Sequence, residues 1–392
     1  MDKKFVMGIA AMAALTLVSC SSDDLDSFSD NSSKNEAISF DGYLGRSAVA
    51  VNGSRGSVET AETLKDNGFG VFGNYKAEAG QTSDPNFFKN QKVTYSNLKW
   101  TYTPLKFWPA NGEINFLAYA PYNYAGSNTT LTGNSISFNV DKTAANQKDL
   151  LWANAKGQIT ADFASTKAQV KFQFHHALSR LGYTVKLSGN YPSDKVTFTL
   201  KKITLAGSPD GTTKNAFYSK GTIDLSKTAT NDNKEELSKT NSETGLWKAD
   251  DTKQNFEWFD AGNQPVKITY VDPNKKPAEE PVSNKDYLFV IPQNFPEKIE
   301  DSEHPGQQVE NPDKLYVIVE YTIHYEDDGK EQTNKVYKQI TPNFLQGKAY
   351  MLNLTIGRPI EFDVDLTNGV DNWGTEDNIN IGSDGNLWDG IE

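Results

Sequence analysis

Few side chains in this chain of 392 residues have the type and spacing for chemistry of their own. There are four histidines, His175, His176, His304 and His324, and a single cysteine, Cys20. Adjacent residues on a strand point to opposite faces, so His175 and His176 do not close on one metal ion. No nearby Cys or carboxylate cluster completes a ligand set, and each reads as fixing a local hydrogen bond. A Ser-His-Asp arrangement converges in space rather than along the chain. The sequence nevertheless carries no G-x-S-x-G elbow, H-E-x-x-H pair, Walker loop or G-x-G-x-x-G turn. Residues 325–330 (Tyr-Glu-Asp-Asp-Gly-Lys) lack the spaced oxygen ligands and distal Glu of a calcium loop, and Asp328-Gly329 is instead a type I′ hairpin signal. No catalytic, metal or cofactor site is expected, and hence no enzyme.

The remaining chemistry is at Cys20. Lys3 and Lys4 precede an apolar stretch over residues 5–18, which is too short to span a bilayer, where roughly 20 apolar residues are needed. With Ser19 before Cys20 this is the layout of a removable export signal, residues 1–19. Leu17-Val18-Ser19-Cys20 resembles the lipobox of bacterial lipoproteins, which implies an acylated thioether on Cys20 and cleavage between Ser19 and Cys20. Ser21-Ser22-Asp23-Asp24 resembles the tag that sends Bacteroidales lipoproteins to the outer face of the outer membrane. With its one thiol acylated, the mature chain has none for a disulfide or redox pair.

A net charge of −12 repels phosphate backbones and anionic headgroups. Nucleic acid is therefore not an expected partner, and the membrane is reached only through the lipid on Cys20.

Residues 20–37 are polar and acidic, too poor in apolar side chains to offset the entropy of ordering. They read as a tether. Beyond them, short alternating runs rich in β-branched and aromatic residues are separated by Gly, Pro, Asn and Asp clusters, which predicts an all-β chain. The clearest runs are 114–118, 135–140, 170–174, 181–187, 196–205, 288–291, 315–325 and 350–356. No long helical period is present, and the best short helical candidate is 57–65. Polar insertions at 227–255 and 272–286 read as long surface loops. A division across the turn at 187–196 gives two β-sandwiches, 38–190 and 191–376, followed by a tail over 377–392.

Aromatic residues crowd one segment: Trp100, Tyr102, Phe107, Trp108, Phe116, Tyr119, Tyr122 and Tyr124. They read either as a platform for sugar rings or as core packing, since each ring buries a large area.

Several segments together resemble the fimbrillin family of Bacteroidales surface proteins, the subunits of type V pili. They are Trp100-Thr-Tyr-Thr-Pro104 running through Phe107-Trp108-Pro109 to Ile114-Asn-Phe-Leu-Ala-Tyr-Ala-Pro121; Phe174-His-His-Ala-Leu-Ser-Arg-Leu181; Leu288-Phe-Val-Ile-Pro-Gln293; and Phe344-Leu-Gln-Gly-Lys-Ala-Tyr350. The resemblance implies two transthyretin-like β-sandwich domains in tandem and a structural role in surface fimbriae. It also implies a trypsin-like processing protease that cuts after an arginine in the first strand, and neighbouring subunits, identical or paralogous, that fill the vacated groove.

In this chain the candidate first strand is 38–44, with Ile38, Phe40 and Leu44 on one face and Arg46-Ser47 as the candidate cut. Arg55 is the rival. At about 3.3 Å per residue, seven residues span roughly 23 Å, a full sheet edge. Two C-terminal segments alternate suitably for donation: residues 360–366, and the tail with Ile379, Ile381, Leu387 and Ile391 as plugs. In the family the donated element is C-terminal, which favours the tail, leaving 360–366 to complete the chain's own sheet. The alternative reading is a tip adhesin or glycan-binding outer-membrane lipoprotein that recognises a host or bacterial surface ligand and does not polymerise.

Overall fold

The alternation in residues 170–176 is realised as a strand: Val170, Phe172, Phe174 and His176 are buried while Lys171 and Gln173 are exposed. The computed structural model describes residues 37–44, 58–77, 87–122, 124, 129–160, 162, 169–230, 232–272, 274–275, 280–357 and 362–371. It is almost wholly β-structure, as the period-two patterning requires.

The first eight strands are β1 (Phe40–Leu44), β2 (Phe69–Lys76), β3 (Phe88–Ser96), β4 (Lys99–Thr101), β5 (Glu113–Ala120), β6 (Ser135–Asn139), β7 (Leu151–Ile159) and β8 (Val170–His176). All but β6 form one sheet in the order β1-β8-β7-β5-β2-β3-β4. Its central strands β2 and β5 are buried on both faces over most of their length, which is why residues 116–120 of β5 read as an unbroken apolar run rather than a strict alternation. One face, with Val71 and Phe116, belongs to an aromatic core that includes Phe40, Phe69, Phe88 and Phe172. The opposite face, with Phe72, Leu117, Tyr119 and Trp152, belongs to a second core shared with the rest of the chain.

That second core lies between two further sheets. In one, β9 (Ser179–Leu187) pairs in parallel with the strand Lys348–Ile356, which pairs antiparallel with the strand Phe362–Asp371. In the other, β10 (Val196–Ala206) lies between the strands Phe256–Asp260 and Leu315–Tyr325, the latter continuing to Glu331–Ile340. Tyr183 of the first sheet meets Trp258 of the second edge to face at 4.9 Å. Two strands from early in the chain are thus built into sheets with later ones: β9, and β6, which pairs with the strand Lys220–Asp224.

Three sequence expectations are corrected. The helix α1 is Ala61–Asn67, later than 57–65, because Thr60 caps it: its hydroxyl accepts from Thr63 N at 3.2 Å and its own N–H donates to Thr63 Oγ1 at 2.7 Å. At 325–330 only Gly329 has positive φ, +66°, so the turn is a longer loop and not the type I′ turn that needs two such residues. The insertion 227–255 is not merely surface loop. Leu237, Leu246 and Trp247 are buried, and the Trp247 indole donates to Ala177 O at 2.7 Å.

Candidate functional site

The first strand does not hang on an open edge. β1 runs parallel to β8, with Phe40 opposite Val170 and Leu44 opposite Phe174. Its other side is held by the segment around β4. Ile38 N donates to Lys106 O at 2.8 Å, the Tyr102 hydroxyl donates to Ile38 O at 2.8 Å, and the Trp100 indole donates to Gly42 O at 3.2 Å. Burial raises the Tyr102 hydroxyl above the usual phenol range, so it stays a donor. β1 is therefore the stave that joins the two outer sides of a curled sheet.

Its inward side chains explain the hold. Ile38 and Phe40 are each 1% exposed, and Leu44 is half-buried against the same core, while Tyr43 points outward. The Phe40 ring sits within 5.4–5.7 Å of Tyr102, Phe88, Phe116 and Phe172. Gly42 shares the inward face, and a Cβ there would lie 2.8 Å from Phe69 Cε1. Phe69 is fully buried against Trp100, Phe172 and Phe174, so its ring has little room to yield. The slot thus has a deep aromatic pocket at position 40 and no side-chain space at position 42.

The aromatic segment is mostly packing. Tyr102, Trp108, Phe116 and Tyr119 are buried, Trp100 is packed on Phe69, and Phe107 stands out at 48% exposure. Among the described residues of this segment no flat exposed row of rings is formed.

The histidines sit in three separate places. His176 is buried, with Nδ1 2.8 Å from Asp149 Oδ2. His175 is lowered to about 4, chiefly by burial and then by His176 and Lys234. His304 pairs with Asp301 at 3.0 Å, and His324 lies between Glu326 and Glu331 at 3.7 and 3.5 Å. Among the described residues no group of three or more His, Cys, Asp and Glu side chains is placed to hold a metal ion.

One cluster was invisible in the sequence. Glu59 N donates to Asp149 Oδ2 at 2.9 Å, the same oxygen that meets His176. The Glu59 carboxylate accepts from Thr63 Oγ1 at 3.0 Å and Asn67 Nδ2 at 2.7 Å, yet burial, then Asp149, pushes its pKa up to about 7. Ninety residues separate Glu59 from Asp149, and no local pattern joins them. The cluster pins the start of α1 to the sheet, just beyond the candidate cut sites.

Cys20, Ser19, Arg46, Ser47 and Arg55 lie outside the described residues, as do Ile379, Ile381, Leu387 and Ile391. Of the other C-terminal candidate, Ile360 is likewise outside. Its continuation, the strand Phe362–Asp371, adds to the chain's own sheet with Val364 buried and Leu366 packed on the core.

Residues 57–373 match the fimbrillin-like family model. The chain belongs to the fimbrillin-like family. β1 lies ahead of the matched span and the tail beyond 373 lies after it. Fimbrium subunit Fim1C of Phocaeicola vulgatus is 34% identical over 194 residues, covering 44% of this fimbrillin-like chain and 49% of that protein, so the match spans about half the length of its relative. A crystal structure of a fimbrial protein from Bacteroides vulgatus shares the fold with a TM-score of 0.58 at 21% identity, over 85% of this chain and 99% of that one.

Proposed function

We propose that this chain is a structural subunit of cell-surface fimbriae that polymerises by exchanging its first strand. In this reading Cys20 carries the precursor to the outer face of the outer membrane. A trypsin-like protease then cuts after Arg46, or after Arg55, and releases lipid, tether and β1 together. The strand lost is replaced by a C-terminal strand of a neighbouring subunit, and head-to-tail repetition of that contact leaves the assembly open-ended. The organisation into two transthyretin-like sandwiches belongs to the same proposal, supported by its two hydrophobic cores, with β6 and β9 pairing with strands of the later part of the chain rather than falling before a boundary at 190.

The observation that carries it is the position of Phe40. A stave seated between β8 and the residues around 100–108, with its phenyl ring enclosed, leaves a hydrophobic slot and unpaired backbone groups when withdrawn. Such a slot is a template for strand addition. Burying Ile38 and Phe40 stabilises the uncut chain by about 1.5–3 kcal/mol each. An incoming strand recovers part of that gain. Strand Phe362–Asp371, already in the chain's own sheet, supports the tail over 360–366 as the donor.

Limited trypsin-like proteolysis of the purified precursor tests this. Removal of residues up to the cut should convert monomer into denaturant-resistant ladders, and Arg46→Ala should move or abolish the cut. A cut protein that stays monomeric at high concentration would sink the proposal.

A further inference from the structure

We propose that the groove sets the register of its incoming strand by the glycine position, and that residues 381–387 of a second copy of this chain occupy the places of residues 38–44. This deepens the strand-exchange reading above and rests on it.

The argument begins at Gly42. A side chain at that point meets the buried ring of Phe69, with Phe174 Cε2 at 3.3 Å behind it. Any strand laid in the slot parallel to β8 must bring its smallest residue to this point and bulkier ones two residues to either side. Strand side chains repeat every two residues, so the glycine fixes which residues face inward as well as how far the strand slides.

The first strand reads Ile38-Ser39-Phe40-Asp41-Gly42-Tyr43-Leu44, and the tail reads Ile381-Gly382-Ser383-Asp384-Gly385-Asn386-Leu387. The two coincide at Ile, Asp, Gly and Leu, in the same order and spacing. With Gly385 at the place of Gly42, Ile381 and Leu387 take the seats of Ile38 and Leu44, and Asp384 faces outward as Asp41 does. The rival segment Ile360-Glu361-Phe362-Asp363-Val364-Asp365-Leu366 also coincides at four positions, but it carries Val364 where no side chain fits. It is also engaged in the chain's own sheet.

The mismatch is as informative as the match. Ser383 falls in the pocket that Phe40 fills among Phe88, Tyr102, Phe116 and Phe172. The donated strand therefore leaves an aromatic-sized void and binds more weakly than the strand it replaces.

The test uses the protease-cut full chain, separated from its first strand, with fluorescent peptides read by anisotropy: residues 37–45, residues 379–391, and the latter with Gly385→Val or Ser383→Phe. The tail peptide should bind. Gly385→Val should weaken it by roughly tenfold or more, and Ser383→Phe should tighten it by roughly a hundredfold, the scale of filling a phenyl-sized cavity. Binding of 37–45 without binding of the tail peptide, or equal binding of the Gly385→Val peptide, overturns this inference and leaves the groove reading standing. Failure of even 37–45 to bind overturns both.

Discussion

The indole N–H of Trp100 donates to the carbonyl oxygen of Gly42 at 3.2 Å, joining β4 to β1 across 58 residues of chain. The contact is possible because Gly42 lets the strand pass close over Phe69, on which the same indole packs at 4.8 Å between centroids. Gly42→Val should destabilise the uncut protein by about 1–3 kcal/mol through overpacking. Urea unfolding measures it, and an unchanged midpoint would show that Phe69 can move aside.

Phe40 is the main anchor of the first strand. Phe40→Ala removes a ring enclosed by four others and should cost about 3–5 kcal/mol. The same substitution should speed departure of the strand after proteolysis. Stopped-flow unfolding of the cut and uncut proteins separates the two effects.

Glu59 gives a pH dependence of definite sign. Its carboxyl is raised from 4.5 to about 7, so the folded chain holds a proton that the unfolded chain releases across that interval. Its contribution is fully present below 4.5 and is lost as pH rises through 7. His175, lowered from 6.5 to about 4, acts the other way and loses stability as pH falls through that window. Comparison with Glu59→Gln isolates the first effect. Wild type should lose stability relative to Glu59→Gln between about pH 5 and pH 8, and parallel curves would show that Glu59 does not titrate in the fold.

Cys20 is the only cysteine, so Cys20→Ser tests the lipid without touching any other thiol. The variant should move from the detergent phase to the aqueous phase on partitioning and fail to incorporate labelled palmitate. Retention in the detergent phase would place the anchor elsewhere.

Much of the fold was legible because strand patterning is local. Residues 170–174 alternate and lie in the strand Val170–His176, since a half-buried strand writes its period into consecutive residues. The Trp247 segment was misread as surface loop because a few buried residues among polar ones leave no period. The Asp328-Gly329 turn was misread because loop length, set by the pairing of Tyr325 with Lys330, chose the geometry.

By itself the sequence determined the β-class of the chain, the candidate lipid site at Cys20 and the inward set Ile38, Phe40 and Leu44, all written in adjacent residues. Only the tertiary structure decided that β1 lies parallel to β8 and is gripped from the other side by Trp100, Tyr102 and Lys106. It alone also decided that Glu59 meets Asp149. These contacts join residues tens of positions apart, and their energies come from burial and hydrogen bonds that exist only once distant strands have met.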